Sequence, residues 1–251
     1  MPWSLPKSED ELLQLAKRYP YDTPGLSYLF SSEAVRPLDV ADPKLFEGRT
    51  AVLAHGSNRS PQQLRRKFAN WSADESLMPV TRAWLQDYDV VYSAHITQYG
   101  AIATNLHHAE GHRIELFINW LTDKQLSYMH MTELPNENYS YGRMQGIALE
   151  VEKGPRTCLG EVMVYLSTRG CFSPDGEPVA AAGLPGEGRA HRPLHQEEML
   201  LRVRDLFRPG RDLDLHILET IRDAALRANL VGRMKAHALP PKAPHFEALD
   251  V

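Results

Sequence analysis

The sequence is poor in cysteine: Cys158 and Cys171 are the only two among 251 residues, and no CxxC pair occurs. A disulfide framework is thereby excluded, a structural zinc site has no support, and a reducing compartment suits the chain. There is no basic excess either. Lys plus Arg number 28 against 32 for Asp plus Glu, a formal net charge of −4, which argues against an electrostatic nucleic-acid binder. No apolar run approaches the ~20 residues that a helix needs to cross a bilayer, so no membrane partner is expected. The opening MPWSLPKSEDE lacks the charged-then-apolar order of a secretion signal, and a cytoplasmic location is the expectation. No repeat unit is visible. What is present is ordinary: 43% hydrophobic and 24% charged residues, a globular composition with length for one decorated domain or two small ones.

Ser8 followed by Glu11 has the form of a capping box, and Leu12, Leu13 and Ala16 then recur at helical spacing as far as Pro20. From Tyr21 to Gly48 the text reads as an irregular lead-in. Thr50–His55 reads as a short buried strand bounded by Gly56. A helix follows, with Ser60 as N-cap, Pro61 at N1 and Gln63 as capping-box partner; Leu64 and Phe68 share a face. Asp89–Asn105 and His112–Trp120 are rich in strand-forming residues, and the Ala-Glu-Gly before His112 reads as a hairpin turn. Between Trp120 and Asn136 the period becomes helical, with Thr122 and Gln125 as a second capping box. Met144–Glu152 and Gly160–Ser167 resume strand text. Residues 170–194 read as a long surface loop. From His195 the pattern gives two helices separated by Pro209 and Gly210. The proline-rich tail Leu239–His245 is expected to be extended.

Two features carry chemistry. The first is the strand-to-helix junction His55-Gly56-Ser57-Asn58, where unpaired amides at a helix start can converge on a carboxylate or oxyanion. Alone, the tripeptide reads equally as a turn before a capped helix. The second is Glu133, which falls on the apolar stripe of Leu126 and Met129 and not with Asp123 and Lys124. Burial, with the negative end of a helix dipole near Pro135, predicts a raised pKa, suited to general acid–base work. The alternative is a Glu at a helix end reaching water. Tyr139 and Tyr141 follow closely and point phenols toward the same cavity or serve as packing residues. His107, His108 and His112 cluster without a metal-ligand spacing, and no metal is expected. Arg65, Arg66 and Lys67 read as a solvated face. Ser93 lacks the elbow of a hydrolase nucleophile.

The string Ala54-His55-Gly56-Ser57-Asn58, then Arg59-Ser60-Pro61 and QQLRRKF, resembles the opening of the gamma-glutamylcyclotransferase-like family, whose signature is Tyr-Gly-Ser-Asn after a first strand. Tyr92-Ser93 followed by Gly100–Thr104 looks like that family's strand pair. Met129–Glu133 corresponds to its helix bearing the acid–base glutamate, and Tyr141-Gly142-Arg143 to the opening of its next strand. The resemblance covers roughly residues 50–167, and His55 departs from the family's Tyr. It implies an α+β fold: a small mixed β-barrel-like sheet with flanking helices, over 49–194, with N-terminal (1–48) and C-terminal (195–251) helical extensions. Carried over, His55, Gly56, Ser57 and Asn58 bind substrate, Glu133 is the acid–base, and Tyr139 and Tyr141 line the pocket.

The implied reaction is cyclisation of a γ-glutamyl amide to 5-oxoproline with release of an amine or amino acid, without metal or cofactor. The partner is then a small γ-glutamyl substrate, and the extensions narrow the cavity or form a homo-oligomer surface. Two alternatives stand beside it: γ-glutamyl transfer or amine release on another metabolite, and a non-catalytic binding module on the same fold.

Overall fold

Five strands of unequal length, two of them unusually long, close on one another to frame the candidate site. The computed structural model describes residues 4–39, 42–134 and 138–250. Helix α1 (Glu9–Lys17) buries Leu12, Leu15 and Ala16, and its N-cap Ser8 makes no side-chain capping bond, so the expected box is absent. Within the lead-in, short strands β1 (Tyr28–Phe30) and β2 (Val35–Pro37) pair with each other, and β1 joins the main sheet, so this stretch is less irregular than its composition suggests. Strand β3 (Thr50–Ala54) leads through a 3-10 turn, Ser57–Arg59, into α2 (Pro61–Lys67). A one-turn helix, α3 (Ala73–Ser76), precedes β4 (Met78–Ile96) and β5 (Ile102–Leu121). Helix α4 (Asp123–Glu133) then leads toward β6 (Tyr139–Val151) and β7 (Cys158–Ser167).

Strand β4 pairs with β5, β5 with β3, β3 with β7, β7 with β6 and β6 with β4 again, so the five close into a barrel. The β3–β7 pair is parallel and the others antiparallel, which makes the sheet mixed. The fold is α+β. Alternation along β5 puts Leu116 and Ile118 into one apolar cluster and Phe117 into another, with Leu64, Phe68 and Met129, as period-two side-chain placement requires. That second layer seats α2 and α4.

The Ala-Glu-Gly stretch is not a hairpin turn. Asp87 and Gly111, both with positive φ, absorb the extra residues as a bulge, and the register passes from Gln86↔Arg113 to Tyr88↔His108; the Gly111 amide donates to Asp87 Oδ1 at 2.8 Å. Both strands therefore run on, and the chain reverses at Thr97–Ala101, closed by a 2.8 Å bond from the Thr97 amide to the Ala101 carbonyl. A bulge and a turn share Gly-rich text, which is why the spacing alone misplaced the reversal.

The stretch 170–194 is also more than a surface loop. Phe172, Ala180, Ala181 and Leu184 are buried, and two-residue strands β8 (Cys171–Phe172) and β9 (Ala180–Ala181) pair with the far half of β4. Strand β10 (Gly186–Glu187) pairs with β5 and β11 (Pro193–Leu194) with β9. The C-terminal region forms three helices where two were expected: α5 (Gln196–Phe207), α6 (Leu213–Arg222) and α7 (Ala224–Lys235). Asp223 ends α6 and caps α7 by accepting from the Ala225 and Leu226 amides. Strand β12 (Ala238–Leu239) pairs with β8, and β13 (Phe246–Ala248) with β6. Ile217 and Ile221 of α6 press on Gly100, where a Cβ would meet Ile221 at 2.9 Å, so the helical region braces the β4–β5 turn. No helix among the described residues is long and apolar enough to cross a membrane.

Candidate active site

The junction after β3 turns sharply because its neighbours leave no room. Gly56 has φ −122°, open to any residue, but a Cβ there would lie 2.6 Å from Tyr19 Oη and 3.2 Å from Thr104 Oγ1. The requirement for glycine is therefore close approach, not dihedral freedom. Thr104 Oγ1 donates to the His55 carbonyl at 3.2 Å, which leaves Tyr19 to donate to Thr104 Oγ1 at 3.0 Å. The Tyr19 oxygen in turn accepts from the Thr104 amide at 3.3 Å and from the Ser57 amide. The Arg59 and Ser60 amides close bonds on the Gly56 and Ser57 carbonyls. Fewer turn amides are thus left for a ligand than the sequence suggests. Ser60 caps α2 by accepting from the Gln62 amide, with Pro61 at N1, but the expected box with Gln63 does not form: Gln63 Oε1 accepts from Arg66 at 3.3 Å instead.

Glu133 ends α4, whose Thr122–Gln125 capping box forms as expected. Pro135 and Asn136, toward which the helical pattern extends, lie outside the described residues. The Glu133 side chain, 14% exposed, contacts the buried ammonium of Lys67 through Oε1. The same oxygen accepts from Asn58 Nδ2 at 3.0 Å. Lys67 also donates to Thr132 Oγ1 at 2.9 Å, and Tyr128 Oη donates to the Lys67 carbonyl at 2.6 Å. The solvated face expected of Arg65, Arg66 and Lys67 holds for Arg65, which is exposed, and in part for Arg66, but not for Lys67, which is 4% exposed, three residues after Leu64 and on its side of α2.

The raised pKa expected of Glu133 is likewise overturned. Burial pushes its carboxyl up, but the Lys67 cation and the hydrogen bonds from Asn58 and Lys67 outweigh that and hold it below the usual carboxylate range. The imidazoles nearby move the other way. Burial lowers His55, and it brings His95 down to about 4. His55 Nε2 faces the Tyr165 carbonyl at 2.8 Å, which can only accept, so Nε2 carries the proton. Burial also raises Tyr19 to about 12 and Tyr139 well above its ordinary value.

These groups border one cavity of about 210 Å³. Of the residues read from the sequence, His55, Gly56, Ser57, Asn58, Glu133 and Tyr139 line it together. Tyr141 does not: its ring packs against Tyr165 at 5.0 Å and His130 at 4.6 Å. The cavity also takes in Tyr19 from the N-terminal stretch, Thr97–Tyr99 from the β4–β5 turn, and Lys67, His95 and Tyr165. Lys67 stands three residues after the buried Leu64, a spacing masked by its charged neighbours Arg65 and Arg66; Tyr19 has no local signal, because only tertiary packing brings it to Gly56. Helices α5–α7 contribute no lining residue, and act on the cavity by bracing the turn at Gly100.

The three clustered histidines go to separate partners. His107 Nδ1 accepts from the Lys242 amide at 3.2 Å, His112 meets Asp89 at 3.2 Å, and His108 packs edge-on to Tyr88. Among the described residues no group of three or more His, Cys, Asp or Glu side chains is arranged to hold a metal ion.

No family model matches the chain, and no curated protein sequence matches it. Solved structures do. One described as a gamma-glutamyl cyclotransferase is 13% identical with a TM-score of 0.36, over 48% of this chain and 68% of that one. An uncharacterized protein, loc79017 from Homo sapiens, is 14% identical with a TM-score of 0.39, over 77% of this chain and 90% of that one. YkqA from Bacillus subtilis is 13% identical with a TM-score of 0.37, over 64% and 60%.

Proposed function

We propose that the chain is a gamma-glutamylcyclotransferase-like enzyme that closes a γ-glutamyl amide into 5-oxoproline and releases an amine or amino acid. The observation that carries this reading is the meeting of Asn58, from the Gly-Ser-Asn turn, with the carboxylate of Glu133 at 3.0 Å on the wall of one cavity. Such a substrate needs no second reactant. Its own α-amine attacks its γ-carbonyl carbon, and proximity is supplied within the molecule.

The proton balance assigns the work of the carboxylate. Glu133, anionic, takes a proton from the substrate ammonium, and the freed amine forms the new C–N bond. As the old C–N bond breaks, Glu133 returns that proton to the departing nitrogen, and the second ammonium proton follows the same route. The lactam keeps one hydrogen on nitrogen and the amine leaves as an ammonium. Donors of the turn and the Asn58 side chain are the candidates for steadying the oxygen of the tetrahedral intermediate.

A second reading has its own observation: the carboxylate is already engaged by Lys67, as suits a binding module without turnover. Incubation with γ-glutamyl dipeptides, γ-glutamyl amines and glutathione, followed by mass spectrometry for 5-oxoproline, separates the two. Formation of 5-oxoproline supports the cyclotransferase. Release of amine without it points to γ-glutamyl transfer on another metabolite. No turnover, with a carboxylate ligand still raising the melting temperature, supports the binding module.

A further inference from the structure

We propose that Lys67 is a positioning residue: together with Asn58 it clamps one oxygen of Glu133, so that the other, Oε2, is the atom presented to the ammonium of the substrate. This deepens the cyclotransferase reading and rests on it for the identity of the ligand.

Both donors converge on Oε1, and among the described residues none is recorded on Oε2. A carboxylate held through one oxygen by two donors from different elements has a fixed rotamer and a fixed free edge. The clamp is itself held. Lys67 Nζ is pinned by Thr132 Oγ1 at 2.9 Å and touches Met129 Sδ at 3.8 Å, both on α4. Tyr128 bonds the Lys67 carbonyl and ties the last turn of α2 to the same helix. Because α2 starts directly after the Gly-Ser-Asn turn, the turn, the cation and Glu133 form one unit.

Charge makes Lys67 the member that matters. The polar and titratable groups interacting with Glu133 are Lys67 from α2, Asn58 from the turn, His55 after β3, His95 from β4, Tyr139 from β6, Tyr165 from β7 and Tyr19 ahead of β1. Burial keeps both imidazoles and all three phenols neutral at pH 7. Lys67 is thus the one counter-charge in that set. Without it a buried carboxylate takes up a proton more readily, and an acid already carrying a proton cannot accept another from an ammonium.

The test is Lys67→Met, similar in length and without charge, with Lys67→Arg as the conservative variant. The pH profile of kcat/KM and the infrared titration of the Glu133 carboxyl are both measured, the latter against Glu133→Gln. The expected result for Lys67→Met is an acid limb moved upward by at least one pH unit, a parallel rise in the carboxyl midpoint, and a kcat at pH 7 lowered about tenfold or more. Lys67→Arg is expected to restore most of the limb position. A titration and an acid limb that stay in place overturn the proposal. If the wild type turns over no γ-glutamyl compound, the cyclotransferase reading fails by itself, and the carboxyl titration still decides the clamp. Where Lys67→Met does not fold, Lys67→Gln keeps a donor, drops the charge and gives the same two readings.

Discussion

Asn58 and Glu133 are separated by 75 residues of sequence and joined by a 3.0 Å hydrogen bond from Nδ2 to Oε1. One belongs to the turn after β3, the other to the C-terminal end of α4. The packing of α2 and α4 over the Phe30, Phe68 and Phe117 layer brings them together.

Asn58→Leu removes that bond while leaving the backbone carbonyl of residue 58 to accept from Asn119 Nδ2, as it does now at 3.1 Å. Turnover is expected to fall about tenfold, and stability by roughly 1.5–3 kcal/mol, the range for a hydrogen bond to a charged group. Steady-state kinetics with urea unfolding checks both. Unchanged kinetics would mean that the turn and the carboxylate do not act together.

Gly56→Ala forces a methyl against Tyr19 Oη, where the space is 2.6 Å. Overpacking of this kind costs about 1–3 kcal/mol. Adding Tyr19→Phe removes the offending hydroxyl, at the cost of its bond to Thr104. The double variant is therefore expected to be more stable than the sum of the two single losses implies. Simple additivity of the two changes in a thermal-melt cycle would contradict the close contact.

Acid should weaken the fold through buried imidazoles. His95, His107 and His216 are each brought down to about 4, with burial as the leading cause. The unfolded chain, with His near ~6.5, binds protons that the native chain refuses, so stability declines as pH falls from about 6.5 to about 4. Glu133 adds a contribution of the usual carboxylate sign: its depressed folded value gives stability that is present above its unfolded pKa and lost as pH falls through the folded one. Melting temperature is expected to drop steadily between pH 7 and pH 4.5. His216→Leu, on α6 and away from the cavity, should flatten that slope; an unchanged slope would remove the buried imidazole from the explanation.

Local patterns revealed much of this. The strand at Thr50, the capped helix after Ser60 and the Thr122–Gln125 box all rest on neighbours within a few residues, and the fold realises them. The apolar spacing of Leu126, Met129 and Glu133 brought the carboxylate to notice, but its ionisation depends on Lys67, 66 residues earlier, and local pattern is blind to that partner. Lys67 itself was hidden by its charged neighbours Arg65 and Arg66. Tyr19 approaches Gly56 only because the N-terminal stretch folds across the β3 end. The bulge at Asp87 and Gly111 has the sequence of a turn, since both need positive φ and the residues do not say whether the strands part afterwards.

The most direct test compares 5-oxoproline formation by the wild type and by Glu133→Gln on the same γ-glutamyl substrates, with circular dichroism alongside. Glu133→Gln keeps the size of the side chain and leaves Lys67 without its counter-charge, so some loss of stability, on the order of 3 kcal/mol, is expected with the fold retained. The account predicts turnover by the wild type and a fall of about 10²-fold or more in the folded variant. A folded Glu133→Gln protein that makes 5-oxoproline at the wild-type rate would contradict it.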